Sequence, residues 1–220
     1  MSSVPASSIS HNASPNSMTW RAALDLMEKV ILLGFYGSFM IPVVAAFIVR
    51  LDVGAGLLAV SESLVVILVL FRKPAQSLSQ RPLDWLLAFG ATISPTLVRP
   101  LEADPSVLSN FAPLLMFAGI CYQIAAKAVL GRRFGIVAAN RGICCQGPYR
   151  IVRHPIYMGY FITHIGFLLA APTWWNLAIY AMTYSFMIPR IFAEERLLRR
   201  DDEYEAYCGK VRWRLFPGLL

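Results

Sequence analysis

Charge is scarce in this chain. Only 15% of its 220 residues are Asp, Glu, Lys or Arg, against 57% apolar, whereas soluble domains carry about 25% charged residues and roughly 45–50% apolar. A soluble globule of this length has too little interior to hide such an excess. That excludes an ordinary cytosolic enzyme and a disordered chain. Cysteine is also sparse: Cys121, Cys144, Cys145 and Cys208 form no C-x-x-C pair and no zinc spacing. A disulfide mini-domain is therefore excluded, and reduced thiols without a special role are expected. The three histidines, His11, His154 and His164, lie far apart, so no metal is expected. The length suits one compact unit.

The composition points to an integral membrane protein, and the long apolar runs support that. Val30–Val49 is free of charge between Lys29 and Arg50, long enough as a helix to match a bilayer core. Pro42 is expected to kink it. Val53–Phe71 is a second span, broken only by Glu62; Trp85–Val98 is a short third, with Pro95 inside; Pro105–Ala126 is a fourth. Residues 154–189 then carry no formal charge, with Ala171-Pro172-Thr173 followed by Trp174-Trp175 near the middle. A proline and paired tryptophans at that point mark a turn at the membrane surface, so this run is expected to be a helical hairpin. Residues 1–19, rich in Ser, Asn and Pro, read as a disordered tail without a signal-peptide core.

The net charge of +7 is placed unevenly. Arg72, Lys73 and Arg81 follow the second span. Lys127, Arg132, Arg133, Arg141, Arg150 and Arg153 follow the fourth, in a Gly-punctuated segment without any acidic residue that reads as a loop. Such clustering is the positive-inside pattern, not a nucleic-acid footprint, and no nucleic-acid partner is expected. About six spans (five to six) put every basic segment, both termini and the chemistry on the cytoplasmic side. The membrane is a bacterial inner membrane or an endoplasmic reticulum. The fold class is thus an all-α integral membrane protein with a C-terminal hairpin and an interfacial amphipathic C-terminal helix. It divides into a tail (1–19), N-terminal transmembrane helices (20–114) and a catalytic region (115–220). Glu62 is an ionisable group within a span, where such groups are functional candidates. Its plainer reading is a carboxyl facing a protein neighbour or a water pocket.

The hairpin carries the chemistry. Arg153-His154-Pro155 opens its first leg, and Arg190 with Glu194-Glu195 leaves its second on the same side. Legs this short bring Arg153, His154, Tyr157, Arg190 and Glu194 together at the boundary between lipid and cytosol. Each element has a bland reading: Arg153 as a snorkelling anchor, His154 as a helix cap, Glu195 as the i,i+4 partner of Arg199. Together, and with Gly147-Pro148-Tyr149-Arg150 upstream, they outweigh those readings.

The run Gly147-Pro148-Tyr149-Arg150-Ile151-Val152-Arg153-His154-Pro155-Ile156-Tyr157-Met158-Gly159, followed by Arg190-x-x-x-Glu194-Glu195, resembles the isoprenylcysteine carboxyl methyltransferase and phospholipid N-methyltransferase superfamily of membrane enzymes. The resemblance covers roughly residues 115–217, including Glu203-Tyr204-x-x-Tyr207 and Leu215-Phe216-Pro217. It implies an enzyme using S-adenosylmethionine. The implied cofactor-lining positions are Ile143, Tyr149, His154, Pro155, Ile156, Tyr157 and Glu194, with Arg190 as the arginine that meets the substrate; Arg153, from its place in the charged cluster, is the second candidate catalytic residue. Cys144 and Cys145 depart from the superfamily's pattern and are left out of the site. The implied partner is a membrane lipid or lipidated substrate, with an isoprenylcysteine-like carboxylate favoured as acceptor and a phospholipid amine next. An NADPH-dependent membrane reductase of the steroid-reductase type is the alternative, although its Pro-Asn-Tyr-x-Gly-Glu turn is replaced here by Pro155-Ile156-Tyr157-Met158-Gly159-Tyr160. A non-enzymatic scaffold is a further alternative. The segment after Ala193, with Leu197, Leu198, Tyr204 and Tyr207 on one side, suits either a peripheral anchor or a lid over the cofactor.

Overall fold

The computed structural model describes residues 15–50, 53–99 and 107–218. Among these, seven α-helices follow one another: α1 (Pro15–Arg50), α2 (Val53–Phe71), α3 (Pro82–Ile93), α4 (Val107–Leu130), α5 (Pro155–Ala170), α6 (Trp174–Leu198) and α7 (Asp202–Lys210). Two short strands, β1 (Ser77–Leu78) and β2 (Ala139–Asn140), pair antiparallel and tie the two basic segments together. By length and composition, the segments Ala22–Val49 and Phe111–Arg133 suffice to cross a bilayer; the apolar parts of α2 and α5 are shorter. Their outer faces stay apolar, with Ile41 72% and Val49 80% exposed on α1. Only lipid or another apolar surface satisfies such a helix.

Three features differ from the sequence expectation. Helix α1 starts at Pro15, inside the stretch read as tail; residues 1–14 lie outside the described residues. Its first turns hold Asp25 and Glu28, which pair with Arg72 and Arg141, so ion pairing carries the helix past its apolar run. Helix α4 continues to Leu130, and Lys127 belongs to it instead of the loop. The reason is a buried partner: Lys127 Nζ lies 3.2 Å from Glu62 Oε1 on α2. Lys127 is accordingly no surface anchor.

The third difference concerns the hairpin. Helices α5 and α6 do follow each other through a tight turn at 171–173, where Thr173 caps α6 by accepting from the Asn176 backbone N–H. The legs diverge, however. α5 lies along α4, α6 lies along α3, and the two legs barely touch each other. The α4–α5 contact is close because small residues face it. A Cβ added at Gly159 would stand 2.9 Å from the Gln123 backbone nitrogen, and one at Gly166 2.8 Å from that of Met116. Backbones approach this nearly only where side chains are absent. The separation of the legs leaves a cavity between them.

Candidate active site

The first turn of α5 is set by the loop before it. Gly147 has φ +54°, a left-handed conformation that glycine adopts at low cost, and it turns the chain into the short 3-10 segment Gly147–Arg150. Pro155 then starts α5 at the position where its missing N–H leaves no donor unpaired. Residues 153 and 154 are clasped from the C-terminal side: their backbone N–H groups donate to the carbonyls of Trp213 and Arg214, both at 2.9 Å.

Across the cavity, α6 presents Arg190, Glu194 and Glu195. The two charged ends meet as the hairpin argument expects. Tyr157 Oη donates to Glu194 Oε2 at 3.1 Å, and His154 Nε2 lies 3.1 Å from Glu195 Oε1. Arg190 Nη2 donates to the Ile136 carbonyl at 2.7 Å, and its guanidinium lies 5.4 Å from the centre of the Tyr157 ring. Arg190 Nε is buried without a hydrogen-bond partner, a donor left available beside the cavity.

The cavity has a volume of about 630 Å3, within the range of small-molecule sites. Ile143, Tyr149, Arg153, His154, Ile156, Tyr157, Arg190 and Glu194 line it. Pro155 does not; it is fully buried in the helix start. Cys144, left out on sequence, does line the cavity, and its thiol leans on the Val129 carbonyl at 3.7 Å.

Glu195 and Glu194 have different surroundings. Glu195 is 2% exposed and gathers Arg153 (3.2 Å), His154 (3.1 Å) and Arg214 (3.0 Å). It is the tie between α6, the start of α5 and the C-terminal segment. Arg153 completes that tie: Nη1 donates to Cys208 Sγ at 3.1 Å and Nη2 to the Arg212 carbonyl at 3.2 Å. The bland pairing of Glu195 with Arg199 is present only at 4.0 Å.

Helix α7 closes the end of the cavity beyond Glu194. Tyr204 and Tyr207 line the cavity, and Tyr207 Oη donates to the Tyr149 carbonyl at 2.6 Å. Burial raises the phenol pKa of Tyr149, Tyr204 and Tyr207, so all three stay neutral donors at physiological pH. The Tyr204 hydroxyl is buried without a partner.

Sequence reasoning also missed the loop's support from α1. Glu28, fully buried, accepts at Oε1 from the backbone N–H groups of Ile136 and Val137, both at 3.1 Å. Nothing in the spacing links residues 28 and 136. The one available signal was the acidic pair Asp25 and Glu28 at the foot of an otherwise apolar helix.

Fold and site together define an integral membrane protein whose helices enclose a largely apolar cavity with a polar edge at Tyr157, His154, Arg190 and Glu194, next to a short C-terminal helix. The phospholipid methyltransferase family model matches residues 111–201, less than half of the chain. Among solved structures, the chain is similar to the eukaryotic intramembrane Ras methyltransferase, isoprenylcysteine carboxyl methyltransferase. The identity is 16%, over 94% of this chain and 87% of that one, with a TM-score of 0.48. No curated protein sequence matches it.

Proposed function

We propose that this chain transfers a methyl group from S-adenosylmethionine to a lipid-borne acceptor, at a site on the cytosolic side of a membrane crossed about six times with both termini in the cytosol. The observation that carries this reading is the cavity edge made by Tyr157, Glu194, His154 and Arg190, in a segment matched by a methyltransferase family.

The residues present fit the cofactor. Such a nucleoside amino acid offers ribose hydroxyls and amino groups as donors and a carboxylate as acceptor. Glu194 supplies an accepting carboxylate beside the cavity, and the unpartnered Tyr204 hydroxyl supplies a neutral donor. Tyr149, Ile143 and Ile156 supply ring and aliphatic surface. When bound, the cofactor supplies an electrophilic methyl on a sulfonium, so neither a metal nor a covalent enzyme intermediate is needed.

The protein's share is orientation and exclusion of water. Tyr157 fixes the rotamer of Glu194, while Glu195 fixes His154 and Arg153, which makes Arg153 a positioning residue in this account. Arg190 has one nitrogen spent on Ile136 and one unpartnered, so it can hold an anionic group of the acceptor. A carboxylate acceptor is nucleophilic as it stands. An amine must first lose a proton, for which His154 and Glu194 on the cavity wall are the candidate bases. The Arg190–Glu194–Glu195 pattern favours the carboxylate, and the matched family favours the amine. Either acceptor carries an apolar tail, and the cavity extends toward Phe39, Pro42, Val43 and Leu58, surfaces able to receive one. The reductase reading gains no support from the matched family.

The test is to incubate purified full-length protein in lipid nanodiscs with methyl-labelled S-adenosylmethionine and separated lipid classes. Label entering an organic-soluble product is expected. Hydride transfer from NADPH, with no methyl transfer to any lipid class, overturns the proposal.

A further inference from the structure

One pair of buried charges lies apart from Tyr157, His154, Arg190 and Glu194. Glu62 on α2 and Lys127 on α4 lie 3.2 Å apart, with Lys127 fully buried and Glu62 7% exposed. A buried ion pair in an apolar helix bundle is weak support for stability, because two charges must be desolvated to make it. Such groups inside membrane helices usually face a pathway or a ligand.

The pair has a front and a back. Glu62, Tyr36, Tyr160 and Gln123 line the cavity; Lys127 does not. Lys127 spends its three donors on Ser61 Oγ (2.8 Å), the Ser61 carbonyl (3.5 Å) and Glu62 Oε1 (3.2 Å). Ser61 Oγ also donates to that Oε1 at 3.1 Å. The ammonium therefore sits behind the carboxylate, holds it in place and compensates its charge, while Oε1 is saturated. What faces the cavity is the other side of a fixed carboxylate, with Tyr36 and Tyr160 among the other lining residues. That surface accepts hydrogen bonds and repels anions.

Resting on the methyltransferase reading, we propose that Glu62 is an acceptor-binding residue. It would receive a hydrogen-bond donor on the polar head of the lipid-borne acceptor while Arg190 holds the anionic part. The shared chemistry is an N–H or O–H group close to the methylated atom. A phospholipid ammonium and the amide N–H of an N-acylated prenylcysteine both provide it. Glu62 then decides which polar heads enter, and Lys127 keeps it oriented.

The experiment compares wild type, Glu62→Asp and the double variant Glu62→Gln/Lys127→Gln, all full length in detergent micelles. Affinity is measured for two ligand pairs in which N-methylation removes the donor: phosphatidylethanolamine against phosphatidylcholine, and an N-acyl prenylcysteine against its N-methylated amide. S-adenosylhomocysteine binding is measured alongside. The double variant removes the buried charge together with its partner. It is expected to bind the nucleoside as wild type does and to lose about tenfold to a hundredfold in affinity for the donor-bearing member of one pair, as loss of a charge-assisted hydrogen bond implies. The donor-free member should be unaffected, and the pair that responds identifies the source. Glu62→Asp, which keeps the ion pair but shortens the reach, is expected to show a smaller loss; it carries the test if the double variant does not fold. Equal weakening of both members, or wild-type selectivity in the variants, overturns the proposal and leaves Glu62 only the partner of Lys127. A wild type that binds no S-adenosylhomocysteine instead overturns the cofactor reading, and the acceptor comparison is read independently of it.

Discussion

Tyr157 Oη donates to Glu194 Oε2 across 3.1 Å, joining the first turn of α5 to the last turns of α6 although the residues are 37 apart in sequence. The bond closes one edge of the cavity and gives the Glu194 carboxylate a fixed direction. Tyr157→Phe keeps the ring under Arg190 and removes only the hydroxyl. We expect it to weaken cofactor binding by less than Glu194→Ala does, with the fold intact. Calorimetry and thermal unfolding on the same preparations check this.

Glu195 has a different task, and its variant should fail differently. Glu195→Ala leaves Arg153, His154 and Arg214 without their shared carboxylate. Removing one partner of a buried ion pair costs about 3–5 kcal/mol. The expected result is a lowered unfolding temperature and release of the C-terminal segment to protease, seen before any loss assignable to chemistry.

Glu28 acts at a distance on the same site. It holds the Ile136 and Val137 N–H groups, and the Ile136 carbonyl holds Arg190. Glu28→Ala is expected to lower kcat with cofactor affinity unchanged, and to lower the unfolding temperature because it strands the buried Arg72. Glu28→Gln keeps an accepting oxygen for the two N–H groups and should recover part of the rate. A uniform loss of both parameters would mean that Glu28 only supports the fold.

The Tyr207 phenol bonded to the Tyr149 carbonyl gives a pH dependence with a defined sign. Burial raises its folded-state pKa above the unfolded value of about 10. Its contribution is therefore complete below about pH 10 and declines as pH rises from there toward the folded-state pKa. Wild type should lose stability from about pH 10 upward more steeply than Tyr207→Phe, which has already lost a bond worth about 1 kcal/mol. Unfolding temperatures measured between neutral and strongly alkaline pH compare the two slopes.

The contact of α4 with α5 sets the cavity wall. Gly159→Val places side-chain atoms where the Gln123 backbone stands, so α5 must move away from α4. A loss of both stability and cofactor binding is expected, against a near-neutral effect at Gly209, where a Cβ meets nothing within 4 Å.

Local order along the chain was legible in the sequence. The run from Gly147 to Gly159 and the Arg190–Glu195 segment lie next to each other because opposite charges and donors at the two ends of one apolar run pair, Tyr157 with Glu194 and Arg153 and His154 with Glu195. What escaped were pairings between distant elements. Lys127 reads as a loop cation because its basic neighbours do; only the position of Glu62 on another helix makes it a helical, buried residue. The divergence of α5 from α6 was hidden for a related reason: the small residues that draw α5 onto α4 look, in sequence, like ordinary apolar positions. Cys144 faces the cavity through the course of its loop, which residue type alone does not reveal.

The central claim is that the Tyr157–Glu194 edge holds a nucleoside cofactor. Titration calorimetry of S-adenosylhomocysteine into the detergent-solubilised full-length protein tests it most directly. Saturable one-to-one binding in wild type, reduced at least tenfold in Glu194→Ala while that variant unfolds at the wild-type temperature, is the predicted result. Undiminished binding in folded Glu194→Ala, or binding of NADPH in place of S-adenosylhomocysteine, would contradict it.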